Sequence, residues 1–473
     1  MLIRGAHAVM TGLSGNSARL DSALGLDIRV DGEVIQQIGR LSPLPGEEII
    51  DARDCVIYPG WINTHHHLFQ SLVKGVPIGI NAPLTQWLSD VPVMYRRFFD
   101  QEAVLRLAVR VGLIELLKSG CTTVADHQYH YYPNMPYDAS EVVFDEAQKL
   151  GMRMVLCRGG GTKARVHEKA PPAQAAPETI EAFMASIEVV TKRYHQAGAR
   201  PMRKVVSAIT TPTWSTDPVS LLAMARQARQ LGIGMHSHLS ETYDYVRFCR
   251  EVHQCSPMEF VEKHEWVGPD VWFAHMVHLD AAEIARCART KTSIAHCPQS
   301  NGRLGSGIAP VPEMLAAGVP VSLAVDGAAS NEAADMLSEA HACWLLHRAN
   351  PAGLTGASDS RWQPGGQAWA MTVEQVLNIG TKQGARAMQL EGVGSIEVGA
   401  AADIAIYKLD NPRYFGLHDI AIGPIASAGQ ANLKAVIING KVRLLDDEIP
   451  GVDIPALAAE ARRTVRWMQE QPH

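Results

Sequence analysis

The run Asn63-Thr64-His65-His66-His67 follows an apolar stretch that closes on Pro59-Gly60. Alternate residues of a β-strand point to the same face, so His65 and His67 aim two imidazoles one way and His66 aims the other. Two same-side imidazoles at a strand end are half of a site for a borderline metal ion. Groups that complete it stand far downstream: His238 in His236-Ser237-His238-Leu239-Ser240-Glu241, then His275, then Asp326. Three imidazoles and one carboxylate suit one zinc-like or ferrous ion with a position left open for water. Such an ion lowers the pKa of bound water to about 7, which makes a nucleophile available at neutral pH. Glu241, three residues past His238, stands where a carboxylate can take a proton from that water and deliver it to a leaving amine. Its bland alternative is a helix-opening glutamate beside Thr242. At this point the role of His275 is open between ligand and water-binder.

Any one of these histidines alone is more often structural than functional. The joint pattern argues otherwise, because the candidates fall at the ends of predicted strands. From residue 58 a short β-branched run, a turn and an amphipathic helix repeat. The predicted strands are 58–64, 121–126, 152–158, 204–211, 233–240, 271–278, 292–297 and 320–326, with helices over 102–119, 218–231 and 281–290 among those between. About eight alternating units predict an α/β fold of the (β/α)8 TIM-barrel type, in which functional side chains project from the C-terminal strand ends. An open doubly wound sheet is disfavoured because no glycine-rich nucleotide fingerprint follows the first strand. Both flanks read as antiparallel β. The expected organisation is a small β-sandwich from residues 1–57 and 380–473, including a C-terminal helix, around a metal-dependent barrel over 58–379. No lysine ends the fourth strand, so a bridging carbamylated lysine is not supplied there and one metal is expected rather than two.

The bulk properties agree. The chain has 473 residues, 47% hydrophobic and 19% charged, with a formal net charge of −6. That charge leaves no basic footprint for nucleic acid or an anionic membrane surface. No apolar run approaches the roughly 20 residues that span a bilayer. The start lacks a signal-peptide core, and the eight cysteines form no CxxC pair. A cytoplasmic enzyme with reduced thiols is therefore expected.

The segments Pro59-Gly60-Trp61-Ile62-Asn63-Thr64-His65-His66-His67, His238-Leu239-Ser240-Glu241, Ala274-His275, Ala295-His296-Cys297-Pro298-Gln299-Ser300-Asn301 and Asp326-Gly327-Ala328-Ala329-Ser330-Asn331 together resemble the amidohydrolase superfamily, in its cytosine/guanine-deaminase and triazine-hydrolase-like branch. The resemblance spans nearly the whole chain. It implies a barrel with a β-sandwich made from both termini. It further implies that His65, His67, His238 and Asp326 bind one divalent ion, zinc or alternatively iron, and that Glu241, His275 and Asp326 are catalytic, with His275 holding the attacking water. A homo-oligomer is expected by the same analogy. Within the branch the chain is most similar to the isoxanthopterin and 8-oxoguanine deaminases, through Pro83-Leu84-Thr85-Gln86-Trp87-Leu88, Arg158-Gly159-Gly160-Gly161-Thr162 and the segment from His296 to Arg303. It departs from several branch deaminases at the end of strand 4, where Thr210-Thr211-Pro212-Thr213-Trp214 replaces a substrate-binding histidine.

The implied reaction is hydrolytic deamination of an aromatic amino-heterocycle, a pterin such as isoxanthopterin. The alternatives are an 8-oxoguanine or other guanine-like purine, a triazine aminohydrolase, and a noncatalytic scaffold. A flat polar ring wants stacking and edge hydrogen bonds. Trp87 and Trp214 are the stacking candidates, Gln86 offers a donor and an acceptor to a lactam edge, and Arg158 a donor to a carbonyl. The bland alternative for Arg158 is a structural ion pair at the barrel rim. His278 and His296 are expected to orient or hydrogen-bond rather than ligate. His127, Tyr129 and His130 either line the pocket or form a surface loop, and His66 is expected to be buried structure. The Pro/Ala-rich piece 169–178 reads as a loop over the substrate.

Overall fold

The computed structural model describes residues 1–164, 176–349 and 371–471. Eight parallel strands form the central sheet: β1 (Trp61–His66), β2 (Cys121–Gln128), β3 (Arg153–Arg158), β4 (Arg203–Ala208), β5 (Met235–Leu239), β6 (Val271–His275), β7 (Ser293–His296) and β8 (Val321–Leu323). They pair in sequence order from β1 to β8. The ring closes between β1 and β8 through side-chain and end contacts: Asp326 N–H donates to the His65 carbonyl at 3.1 Å, and the Thr64 hydroxyl to the Leu323 carbonyl at 3.0 Å. This is the TIM-barrel architecture.

Local chemistry sets the helices between strands. Asp217 caps Pro218–Gln230, with proline in its first turn. Asp280 and Glu283 form a capping box at Ala281–Thr290. Gly151 ends Ala139–Leu150 in the left-handed conformation at φ 67°. Inside the barrel Ile62, Ala125, Val155, Cys157, Val206, Ala208, Trp272, Ala295 and Ala324 pack together with Ala385, Met388 and Leu390, so the chain around Lys382–Ala387 plugs the bottom.

The expected strand over 58–64 is two strands. Cys55–Pro59 belongs to a second sheet, and β1 begins at Trp61. The break falls at Gly60, where a Cβ would lie 2.1 Å from the Thr122 side chain. The second sheet runs in the order Lys441–Leu445, Leu433–Ile438, Ile404–Lys408, Cys55–Pro59, Ala8–Val9. A third sheet of four strands lies within residues 2–51, and an apolar layer including Ile3, Ile28, Ile57, Ile404 and Ile437 joins the two. Residues 380–390, expected with these sheets, serve the barrel instead: Ile62 N–H donates to the Gly380 carbonyl at 2.9 Å. The Trp61 indole donating to the Tyr407 hydroxyl at 2.9 Å, and the buried Arg153–Asp403 pair at 2.9 Å, hold the β layers to the barrel's underside. Strands 6 and 8 are shorter than expected. His275 and Met276 turn to φ 73° and 49°, and Asp326 to φ 62°, which ends regular pairing.

Candidate active site

The C-terminal strand ends gather the residues that the sequence singled out. His65 and His67 flank the end of β1, His238 lies in β5, His275 closes β6, and Asp326 stands three residues past β8. One ligand atom from each of His65, His67, His238 and Asp326 lies within 4.8 Å of the other three. Asp326 Oδ1 is 3.2 Å from His65 Nε2 and 3.4 Å from His67 Nε2. All four side chains are buried.

Hydrogen bonding fixes what these atoms offer. A carbonyl only accepts, so His67 Nδ1 donates to the His127 carbonyl at 2.8 Å and His238 Nδ1 to the Thr210 carbonyl at 2.6 Å. His236 Nδ1 donates to the Trp272 carbonyl at 2.9 Å, which leaves its Nε2 to accept from His65 Nδ1 at 2.8 Å. Burial keeps the rings neutral: it pushes His65 down to about 3, His67 below its usual value, and His236 and His238 well below it. Each ligand ring therefore carries its one proton on Nδ1 and turns a bare Nε2 lone pair inward. His67 Nε2 and His238 Nε2 face each other at 3.2 Å with no proton between them. Three lone pairs and a carboxylate meeting in a buried space are mutually repulsive until a cation joins them. The donor set fits one divalent ion, and its outer hydrogen bonds are those that orient ligand imidazoles.

Asp326 is braced from behind. Its Oδ2 accepts from the hydroxyls of Ser300 at 2.6 Å and Ser330 at 3.1 Å, which leaves Oδ1 to the histidines. His66, on the opposite face of β1, is buried and donates from Nδ1 to the Asp326 carbonyl. His275 donates from Nδ1 to Asn301 Oδ1 at 2.9 Å and holds its Nε2 3.7 Å from Glu241 Oε2. Glu241 is buried, and its Oε1 has no hydrogen-bond partner among the described residues. Burial pushes its carboxyl up to about 7, with the Asp326 charge adding to the rise. Ser240, His275, Met276 and Asp326 all have left-handed backbone, and such non-glycine residues store strain where a site holds them.

A cavity of about 960 Å3, counting its open mouth, lies over these groups. Trp87, Tyr129 and Tyr245 line it with Gln70, Thr210 and Thr211. Trp87 is buried, and its indole N–H has no partner among the described residues. The other expected substrate contacts lie elsewhere. Gln86 is exposed and its amide donates to Asp90 at 2.5 Å. Arg158 is spent on Glu178, with two bonds of 2.7 and 2.6 Å, beneath the Tyr131 ring. Trp214 packs on Tyr245 and Phe248. His278 donates to the Ser306 carbonyl at 2.8 Å, and His296 meets His347 rather than the cavity. His130 donates to Gln128 Oε1 at 2.8 Å, and His127 is buried behind His238. Residues 169–175 of the expected loop lie outside the described residues, whereas Ala176 and Pro177 line the cavity.

Two residues escaped sequence reasoning. Gln70, in the turn after β1, is buried with Oε1 unpartnered among the described residues, and the Gly327 backbone comes so near that a Cβ there would lie 1.9 Å from that oxygen. A glutamine among Leu68, Phe69 and Leu72 was the available signal. Arg96 also lines the cavity, but it sits in an irregular segment without a motif.

This barrel, with a ligand set at its mouth, defines a metal-assisted hydrolase, and residues 56–443 match the amidohydrolase family. The chain belongs to that family. It is 54% identical over 465 residues to an isoxanthopterin deaminase from an unknown prokaryotic organism, covering 98% of this chain and 96% of that protein. It is 34% identical to the 8-oxoguanine deaminase of Pseudomonas aeruginosa PAO1, covering 94% of each. A solved structure of atrazine chlorohydrolase TrzN from Arthrobacter aurescens TC1, complexed with zinc, aligns with a TM-score of 0.88 at 26% identity, covering 98% of this chain and 99% of that one.

Proposed function

We propose that the chain removes the exocyclic amine of an aromatic amino-heterocycle by hydrolysis, releasing ammonia, and that its substrate is isoxanthopterin or a close pterin. The observation that carries the reaction is the meeting of three unprotonated Nε2 atoms and Asp326 beside a buried, partner-poor Glu241. The 54% identical isoxanthopterin deaminase supports the choice of ring. On this reading His65, His67, His238 and Asp326 hold one divalent ion, with zinc favoured by the zinc complex of the triazine hydrolase and iron the alternative. Such an ion, when bound, supplies an acidified water.

The chain's own groups do the rest. Glu241, with a carboxyl near neutrality, takes the proton of the attacking water and passes it to the ring nitrogen beside the reacting carbon. His275, fixed by Asn301, orients that water. Asp326 accepts the last proton on its way to the departing ammonia. Trp87 and Tyr129 suit the ring face, and the Gln70 amide and Trp87 N–H its lactam edge. Thr210 and Thr211 at the end of β4 give short hydroxyl side chains where a nucleoside-binding histidine would stand, which fits a free base without a ribose.

Among the described residues no helix is long and apolar enough to cross a membrane. With all eight thiols free, we read the enzyme as cytoplasmic, and by analogy as a homo-oligomer. The test is a panel of isoxanthopterin, related amino-pterins, 8-oxoguanine, guanine and aminotriazines scored by ammonia release. The highest kcat/KM is expected for isoxanthopterin. A higher value for 8-oxoguanine, as the 34% identical relative would suggest, would move the assignment to purines. Release from no member would end the deaminase reading.

A further inference from the structure

A second group of buried ligand side chains lies behind the barrel mouth and shares no residue with the first. His296 is the last residue of β7, and Cys343 and His347 sit one turn apart on the helix Met336–Ala349. One ligand atom from each lies within 4.8 Å of the other two. The side chains are 0%, 0% and 3% exposed, in that order. His296 Nε2 and His347 Nε2 face each other at 3.0 Å, a separation open to two nitrogens each about 2.1 Å from one ion. The Cys343 sulfur lies 3.5 Å from Met371 Sδ. A shared proton between the two rings would explain their approach, and His296 Nδ1 stays buried without a partner among the described residues in either arrangement. The shared proton gives no reason for the Cys343 sulfur to stand within 4.8 Å of both ring nitrogens. Burial keeps both rings neutral, pushing His347 down to about 4 and His296 well below its usual value.

We propose that His296, His347 and Cys343 form a second cation site, for a thiophilic d10 ion such as zinc or monovalent copper, with Met371 as a weak fourth donor. Two imidazoles, a thiolate and a thioether are the donors that select such ions. Binding forms a metal–sulfur bond and expels the Cys343 proton to solvent, with no change in oxidation state. The ion would brace a segment that matters to the first site, because the chain from His296 runs on to Ser300 and Asn301, which hold Asp326 and His275. The inference is independent of the substrate assigned above.

The test uses the holoenzyme, with its barrel-mouth ion in place, titrated with Cd2+. The barrel-mouth ligands include no sulfur, so an ultraviolet sulfur-to-cadmium charge-transfer band reports a cysteine, and its loss in Cys343→Ser separates the second site from the seven other thiols. The band should saturate at one added Cd2+ per chain, with one proton released and the total metal content near two ions. Cys343→Ser should abolish the band and lower the metal content by one, and His347→Gln should weaken Cd2+ binding at least about tenfold. No band in stoichiometric excess of Cd2+, or an undiminished band in Cys343→Ser, would overturn the site. If Cys343→Ser does not fold, His347→Gln decides, and wild-type affinity in that variant would equally overturn it.

Discussion

The two buried histidine clusters differ in what stands behind each ring. At the barrel mouth every ligand imidazole has handed its Nδ1 proton to a named acceptor: the His127 carbonyl, the Thr210 carbonyl, or His236. In the pair behind it, His296 Nδ1 meets no partner among the described residues. The first cluster contains a carboxylate braced by two serine hydroxyls, and the second a thiol beside a thioether. Left-handed backbone marks Asp326 and the neighbouring His275, but none of His296, Cys343 and His347. Lone-pair direction is thus built by outer hydrogen bonds in one place and left to packing in the other. On the proposals above, that is the difference between a site preorganised for turnover and one that holds an ion as a brace.

Four substitutions would break this contrast, the most damaging being Glu241→Gln, which keeps the volume but removes the proton carrier beside the first cluster. Turnover should fall at least about a thousandfold with metal content unchanged, and near-normal kcat would overturn the role. Asp326→Asn removes the only anionic ligand there. Metal measured after dialysis against a mild chelator should drop below one ion at the barrel mouth, with activity returning only in excess zinc. His236→Phe keeps the ring stacked on Trp272 but strips the acceptor from His65, so the first cluster should come to resemble the second. Metal affinity should weaken about 10- to 100-fold while the protein remains folded. The one effect on stability alone concerns Asp126, which accepts the Leu68 N–H directly after His67 at 2.8 Å. Burial pushes its carboxyl up to about 7 from an ordinary value of 3.8. The folded chain therefore binds the proton more tightly than the unfolded chain. Stability should decline as pH rises through that window, by at most about 1.4 kcal/mol per unit from this group. Asp126→Asn keeps an acceptor for Leu68, and its denaturant midpoint should lose that part of the slope.

The gathering of these residues at the barrel mouth was legible because strand alternation and the rhythm of βα units place residues without any knowledge of side-chain partners. His65 and His67 needed only the period of two, and His238, His275 and Asp326 only the rule that function sits at strand ends. The pocket wall was not legible in the same way. Whether Arg158 reaches a ligand depends on Glu178, twenty positions on, which takes both of its terminal nitrogens. Gln86 and Trp87 are neighbours, yet the short helix Leu84–Leu88 turns one to solvent and the other inward. His296 was diverted by a helix fifty-one residues away in sequence. Each outcome was set by a partner that no local pattern names. The split of the first expected strand at Gly60 has the same origin, since the Thr122 side chain fills the space above it.

The strand Cys55–Pro59 has Ala8–Val9 on one side and Ile404–Lys408 on the other. During synthesis its first neighbour is made at once, and its second only after the whole barrel sequence has left the ribosome. Until then a five-residue apolar ribbon carries an open row of amide and carbonyl groups, which invites another chain to pair. Nascent chains that stall before residue 404 should therefore depend on chaperones more than the finished protein does.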